Sequence, residues 1–175
     1  MATDRRDVIV VGGGIIGCLT AYLLAREGLK VTIIEADSVG SHASGFAFGG
    51  LGPLEGAGIP DPLLGFSVWC LERHASLAPE LEEASGVDTQ FHLRDRLILA
   101  FDDSEVRRAK EEIKWQKDIK GFHVEWLDQP DVLKVEPRTN PECLGASYAQ
   151  GTGAIEAYRY NLAAAQAAEK FSAEF

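Results

Sequence analysis

The 175-residue sequence predicts an α/β protein, part of a doubly wound parallel sheet with an α+β insertion that carries antiparallel strands, and apparently incomplete. Three observations carry this prediction. Residues 7–36, DVIVVGGGIIGCLTAYLLAREGLKVTIIEA, run in the order strand, glycine turn, helix, strand. Residues 59–150 mix helical stripes with short extended runs. Only two continuous apolar runs of the buried parallel kind occur, too few to close such a sheet.

Val8, Ile9, Val10 and Val11 suit a strand buried on both faces. Ile15, Leu19, Tyr22, Leu23 and Arg26 then recur at helical spacing, Gly28 stands where a helix end wants a left-handed residue, and Val31, Ile33 and Ile34 read as a second buried strand. The turn between is Gly12-x-Gly14-x-x-Gly17. Gly12 can leave the strand sharply, Gly14 has no Cβ to keep the backbone from a diphosphate, and Gly17 lets the helix lie close to the sheet. The free N–H groups of the helix start, with a dipole of about +0.5 charge, favour an anion by about 0.3–2 kcal/mol. Glu35 ends the second strand where an acid accepts hydrogen bonds from an adenosine ribose, and its charge opposes a 2′-phosphate. In this strand–turn–helix setting the pattern predicts a Rossmann-like dinucleotide site.

From Ser38 to Gly58 the chain turns to Gly, Ala, Ser and Phe, a long loop of the kind that is functional or disordered, and its Phe and Leu residues argue for order. Asp61-Pro62 predicts a helix start; Leu64, Val68, Leu71, Ala75 and Ala78 mark its buried face, and Pro79 bends or ends it. Thr89 to Phe101 reads as two extended segments around Arg94-Asp95. Asp102 with Glu105 predicts a capping box for a helix striped by Val106, Ala109 and Ile113, its Arg107/Glu111 and Arg108/Glu112 pairs on a solvated face. FHVEWL predicts a strand, Pro130 to Val135 a short helix, and GASYA a strand ending before Gly151-Thr152-Gly153. A last helix from about Tyr158 carries Tyr160, Ala164, Ala167 and Phe171 on one side. The division expected along the chain is 1–58 for the nucleotide motif and its loop, 59–150 for the mixed segment, and 151–175 for the returning helix.

A net charge of −10 argues against nucleic acid and anionic membranes. No run is apolar enough to span a bilayer, and the first strand begins too near Met1 for a signal peptide, so the expected compartment is the cytoplasm. Cys18, Cys70 and Cys143 have no C-x-x-C spacing and form no metal set with His42, His74, His92 and His123. They read as small core residues in a reducing compartment, and no metal is expected.

VIVVGGGIIGCLTAYLLAREGLKVTIIEADSVGSHASGFAFGGLGP resembles the N-terminus of the FAD-dependent amine and amino-acid oxidoreductases typified by D-amino acid oxidase, glycine oxidase and sarcosine oxidase. The likeness continues at FHLRDRLILAF, WLDQPDVLKVEP and GASYAQGTGAIEAYRYNLAAAQAAEK, and covers the whole chain but only the N-terminal half of such a protein. It implies FAD, held non-covalently because Ala47 stands where some relatives attach it through histidine. By position, Gly12, Gly13, Gly14, Ile15, Ile16 and Gly17 would hold the pyrophosphate, and Glu35 with Ala36 the adenosine ribose. His42, Ala43 and Ser44 would meet the phosphates or ribityl chain, and Ala47, Phe48, Gly49, Gly50 and Leu51 would line the isoalloxazine. His42 and Ala43 replace the Arg and Thr of some relatives, and Phe48 is bulky where a small residue is frequent.

The chemistry so implied is hydride transfer to FAD from the carbon of a C–N bond in an amino acid or secondary amine. The residues that grip the substrate carboxylate in relatives lie in their second half, so no catalytic residue is assigned. Arg94, Arg96, Tyr148, Tyr158 and Arg159 are read as structural or solvated. The expected partners are the small-molecule substrate and a C-terminal half, separately encoded or lost by truncation, without which the chain is inactive. An NAD-binding domain and a non-catalytic nucleotide-binding subunit of a heteromeric dehydrogenase stay open as alternatives. The long loop after Glu35 weighs against NAD.

Overall fold

The structure, a computed structural model, describes residues 5–175. The chain forms two compact units. One holds the described residues through Gly50, then Glu72–His92 and Ala154–Phe175; the other holds Leu51–Leu71 and Leu93–Gly153.

In the first unit, β1 (Val8–Val11) and β2 (Val31–Ile34) pair in parallel, with Val8 opposite Val31 and Val11 opposite Ile34. α1 (Ile15–Arg26) connects them. Gly28, at φ +88°, ends this helix: its N–H donates to the Ala25 carbonyl, and the Leu29 N–H donates to that of Leu24. The tail then adds a bridge on β2 that the sequence does not predict. Glu174 lies parallel to Thr32, its N–H donating to the Val31 carbonyl and its own carbonyl accepting from the Ile33 N–H.

α1 packs on α5 (Ala157–Lys170), and the alanines of α5 allow close approach. Cys18, Ala21, Val31, Ile33, Tyr160 and Ala164 are buried together in this core. The other face of the sheet is bare: Ile9, Val11 and Ile34 are 61%, 83% and 54% exposed. The expectation of strands buried on both faces is therefore corrected. Val8 and Val10 reach the core, but no second helical layer covers their neighbours among the described residues. Leu23 and Phe171 also sit at the surface rather than on the buried faces predicted for them.

α2 (Leu64–Ser85) begins beyond Asp61-Pro62, which lies in a turn, and runs straight past Pro79 as a helix. Pro79 is exposed and removes one backbone donor, while Leu77, Ala78 and Leu81 on the buried side hold the helix together; Ala75 is exposed, not buried.

In the second unit, β3 (Gly50–Leu51), β4 (His92–Ala100), β5 (His123–Asp128) and β6 (Gly145–Ala154) form one sheet, with β6 between β3 and β4 and also paired antiparallel to β5. Two corrections apply here. β4 is one continuous strand through Arg94-Asp95, and β6 continues through Gly151-Thr152-Gly153, where the Thr152 hydroxyl donates to the Arg94 carbonyl. α3 (Asp103–Gln116) starts as predicted: the Asp102 carboxylate accepts from the Ser104 and Glu105 N–H groups, and Glu105 accepts from the Phe101 N–H. α4 (Gln129–Val135) completes the unit. Among the described residues no helix is long and apolar enough to cross a membrane.

Candidate functional site

The turn after β1 is closed by sterics. A Cβ on Gly17 would lie 2.0 Å from the Gly12 carbonyl oxygen and 3.3 Å from Val10 Cγ1, so any side chain there forces α1 off the strand. Gly12 takes φ +105°, a conformation an L side chain resists. Gly14 is the N-cap of α1 and offers no side-chain cap, which leaves the first helical N–H groups to other partners.

Two partners reach that turn from later in the chain. The Glu35 carboxylate accepts from the Gly13 N–H at 2.5 Å and from the Asp37 N–H at 2.8 Å. These bonds, that of Asp37 foremost, hold the carboxyl below the usual glutamate range, so it is an anion at neutral pH. Ser44 Oγ accepts from the Ile15 N–H at 3.1 Å. An oxygen acceptor therefore already sits at the helix start, the position an anion takes at such a terminus.

The loop between is folded onto α5. Tyr158 lies under Gly40 and Gly45, and Gly49 and Ile155 share a hydrogen bond of 2.9 Å. His42 pairs with Asp37 at 2.7 Å. Ala43 and Ala47 face solvent and Phe48 is 88% exposed, while Gly49 is partly covered. Ile15 is partly buried and Ile16 exposed at the helix start, and Ala36 follows Glu35 at the strand end. Glu35, Asp37, Ser38, Val39, Leu162 and Gln166 border a cavity of about 450 Å³.

Cys18 donates to the Gly13 carbonyl at 3.3 Å, and burial, with the Glu35 charge second, pushes its thiol up to about 11. It is a protonated packing residue, not a nucleophile. Asn161 was missed by pattern reasoning. It is fully buried and donates from Nδ2 to the same carbonyl at 3.1 Å. Its one local signal is an amide set into the alanine face of α5.

Gly50 and Leu51 form β3. Several polar side chains have structural partners. Arg96 pairs with Glu55 at 2.8 Å, the Tyr148 hydroxyl donates to Asp95, and Gln116 Nε2 donates to the Leu54 carbonyl at 3.0 Å. In the first unit Arg159 donates to the Asp88 carbonyl. Among the described residues no cluster of His, Cys, Asp and Glu could hold a metal ion.

Comparison with known proteins shows the family. The family model for FAD dependent oxidoreductases (DAO) matches residues 7–175. Glycine oxidase of Bacillus licheniformis is 35% identical over 144 residues, 82% of this chain and 37% of that protein. The crystal structure of glycine oxidase from Geobacillus kaustophilus superposes with a TM-score of 0.92 at 32% identity, covering 98% of this chain and 46% of the other. A dithionite-reduced glycerophosphate oxidase from Mycoplasma pneumoniae with FAD bound superposes at 0.72 and 25% identity, over 97% of this chain and 44% of the other. The chain thus spans less than half the length of these relatives. With a glycine turn opening α1, an acid at the end of β2 and this match along residues 7–175, the chain belongs to the DAO family of FAD dependent oxidoreductases.

Proposed function

We propose that this chain is the FAD-binding portion of an enzyme that oxidises a C–N bond in an amino acid or secondary amine. The observation that carries the reading is the joint approach of Glu35 and Ser44 to the glycine turn at the start of α1. The site fits a dinucleotide on its own terms: Gly17 brings helix and strand together where a Cβ would collide, Gly14 leaves the helix start without a side-chain cap, and the cavity beside Glu35 is room for an adenosine.

The residues of this chain have binding and orienting roles. The N–H groups of Gly14 and Ile16 hold the pyrophosphate, beside the Ile15 N–H that Ser44 accepts. Glu35, ionised, accepts from the ribose hydroxyls and disfavours a 2′-phosphate. Gly49 and Gly50 let a flat ring approach the backbone, and His42, with Asp37, borders the loop. FAD, when bound, would supply the electron sink for oxidation at the carbon that bears nitrogen. No acid, base or nucleophile for that step is assigned among the described residues.

Substrate grip and turnover belong to the part of the fold that the relatives have beyond this alignment. The bare sheet face of Ile9, Val11 and Ile34 supports this, because such a surface on a parallel sheet is otherwise covered. The test has two arms. FAD added to the purified chain gives a bound flavin spectrum that ADP displaces and NADH does not. Amine oxidation appears only when a C-terminal half of the family is supplied. Binding of NADH without FAD contradicts the cofactor; turnover by the chain alone contradicts the division of labour.

A further inference from the structure

The carbonyl of Gly13 collects donors from three parts of the first unit: Asn161 Nδ2 at 3.1 Å, the Gly40 N–H at 3.1 Å and Cys18 Sγ at 3.3 Å. The Gly13 N–H, on the peptide before, is held by Glu35. Both peptides flanking Gly13 are thus fixed, in a run of three glycines whose backbone would otherwise flip between conformations at little cost.

Among the three donors, Asn161 has no evident packing reason to be where it is. It is 0% exposed on a helix face of Ala163, Ala164, Ala167, Ala168 and Tyr160, and its Oδ1 is buried with no hydrogen-bond partner among the described residues. A residue there only to fill space would not strand a buried acceptor. The amide orientation is also forced, since turning it would set Oδ1 against the Gly13 carbonyl. A Cβ on Gly40, which has φ +68°, would lie 2.8 Å from Nδ2, so the loop is shaped around this side chain.

In a trans peptide the carbonyl and the following N–H point in opposite directions. Drawing the Gly13 carbonyl inward therefore turns the Gly14 N–H outward at the start of α1. We propose that Asn161 is a positioning residue for the cofactor pyrophosphate: it sets the Gly13–Gly14 peptide so that the Gly14 N–H is aimed at a phosphate oxygen before the cofactor arrives. This rests on the FAD reading above and names a residue outside the glycine motif as part of the same site.

The test compares the parent chain with Asn161→Leu, close in shape but without donor or orphan acceptor, and with the isosteric Asn161→Asp. FAD and ADP affinities and the melting temperature without nucleotide are measured for each. The proposal expects Asn161→Leu to bind both nucleotides roughly ten-fold more weakly, with a nucleotide-free melting temperature equal to or above that of the parent. Asn161→Asp, which faces the carbonyl with an oxygen, weakens binding at least as much. If Asn161→Leu does not fold, Asn161→Asp decides alone, read by the amide resonances of Gly13 and Gly14. Shifts of both resonances with weakened ADP binding support the proposal, and unchanged resonances overturn it. Affinity within two-fold of the parent overturns it while the flavin reading stands, as does an affinity loss that merely follows a fall in melting temperature. A parent that binds neither FAD nor ADP overturns the flavin reading, and the role of Asn161 falls with it.

Discussion

Ser44 caps the helix that begins at Ile15: its Oγ accepts the Ile15 N–H at 3.1 Å across a separation of 29 residues. Replacing Ser44 with Ala removes this acceptor from a helix whose N-cap, Gly14, has no side chain to substitute for it. Loss of a cap costs about 1 kcal/mol. Ser44→Ala is expected to lower the nucleotide-free melting temperature by roughly 2–4 °C, as read by circular dichroism.

Gly17 has the least room of the motif glycines, with 2.0 Å between its would-be Cβ and the Gly12 carbonyl oxygen. Gly17→Ala must push α1 off β1, and such overpacking costs about 1–3 kcal/mol. Urea unfolding should show that loss, and FAD titration should show binding reduced by more than ten-fold, because the displaced backbone is the proposed binding surface.

Glu35 has a carboxyl held low by the Asp37 and Gly13 N–H groups. A depressed folded pKa contributes stability that is fully present above the unfolded value, about 4.3, and is lost as pH falls through the lower folded value. The parent should therefore lose stability on acidification below about pH 4.3 more steeply than Glu35→Gln. Parallel melting curves for the two proteins across that range would contradict the assignment.

His74 lies beneath Tyr160, its Nδ1 2.8 Å from the phenol oxygen and the rings edge to face. Burial lowers the His74 pKa and raises that of Tyr160, whose neighbours include Arg73 and Glu80. Folding thus favours neutral imidazole: the contribution is complete above the unfolded value, about 6.5, and declines as pH falls through the folded one. His74→Phe should flatten the stability profile between neutral pH and pH 5, measured by chemical denaturation.

Several elements were legible because their signals are local. Gly12, Gly14 and Gly17 sit between two apolar runs, Gly28 ends the helix with a left-handed residue, and Asp102 accepts from the residues just after it. What stayed hidden depends on partners far along the chain. Pro79 signals a helix end, yet Leu77, Ala78 and Leu81 are buried around it, and tertiary packing outweighs one missing N–H. Glu174 joins β2 through too few residues to show any period. Ile9 and Val11 match a doubly covered strand in sequence, and only the structure reveals which face is bare. Asn161 meets Gly13 over 148 residues, a relationship that no local pattern can carry.

Whether the turn from Gly12 to Gly17 holds the cofactor, as proposed, is read from the amide resonances of the isotope-labelled chain during an FAD titration. The resonances of Gly13, Gly14, Ile15 and Ile16 are expected to shift first and most, together with Glu35, and ADP is expected to reproduce those shifts. Saturable FAD binding that leaves these amides in place and moves others instead would contradict it.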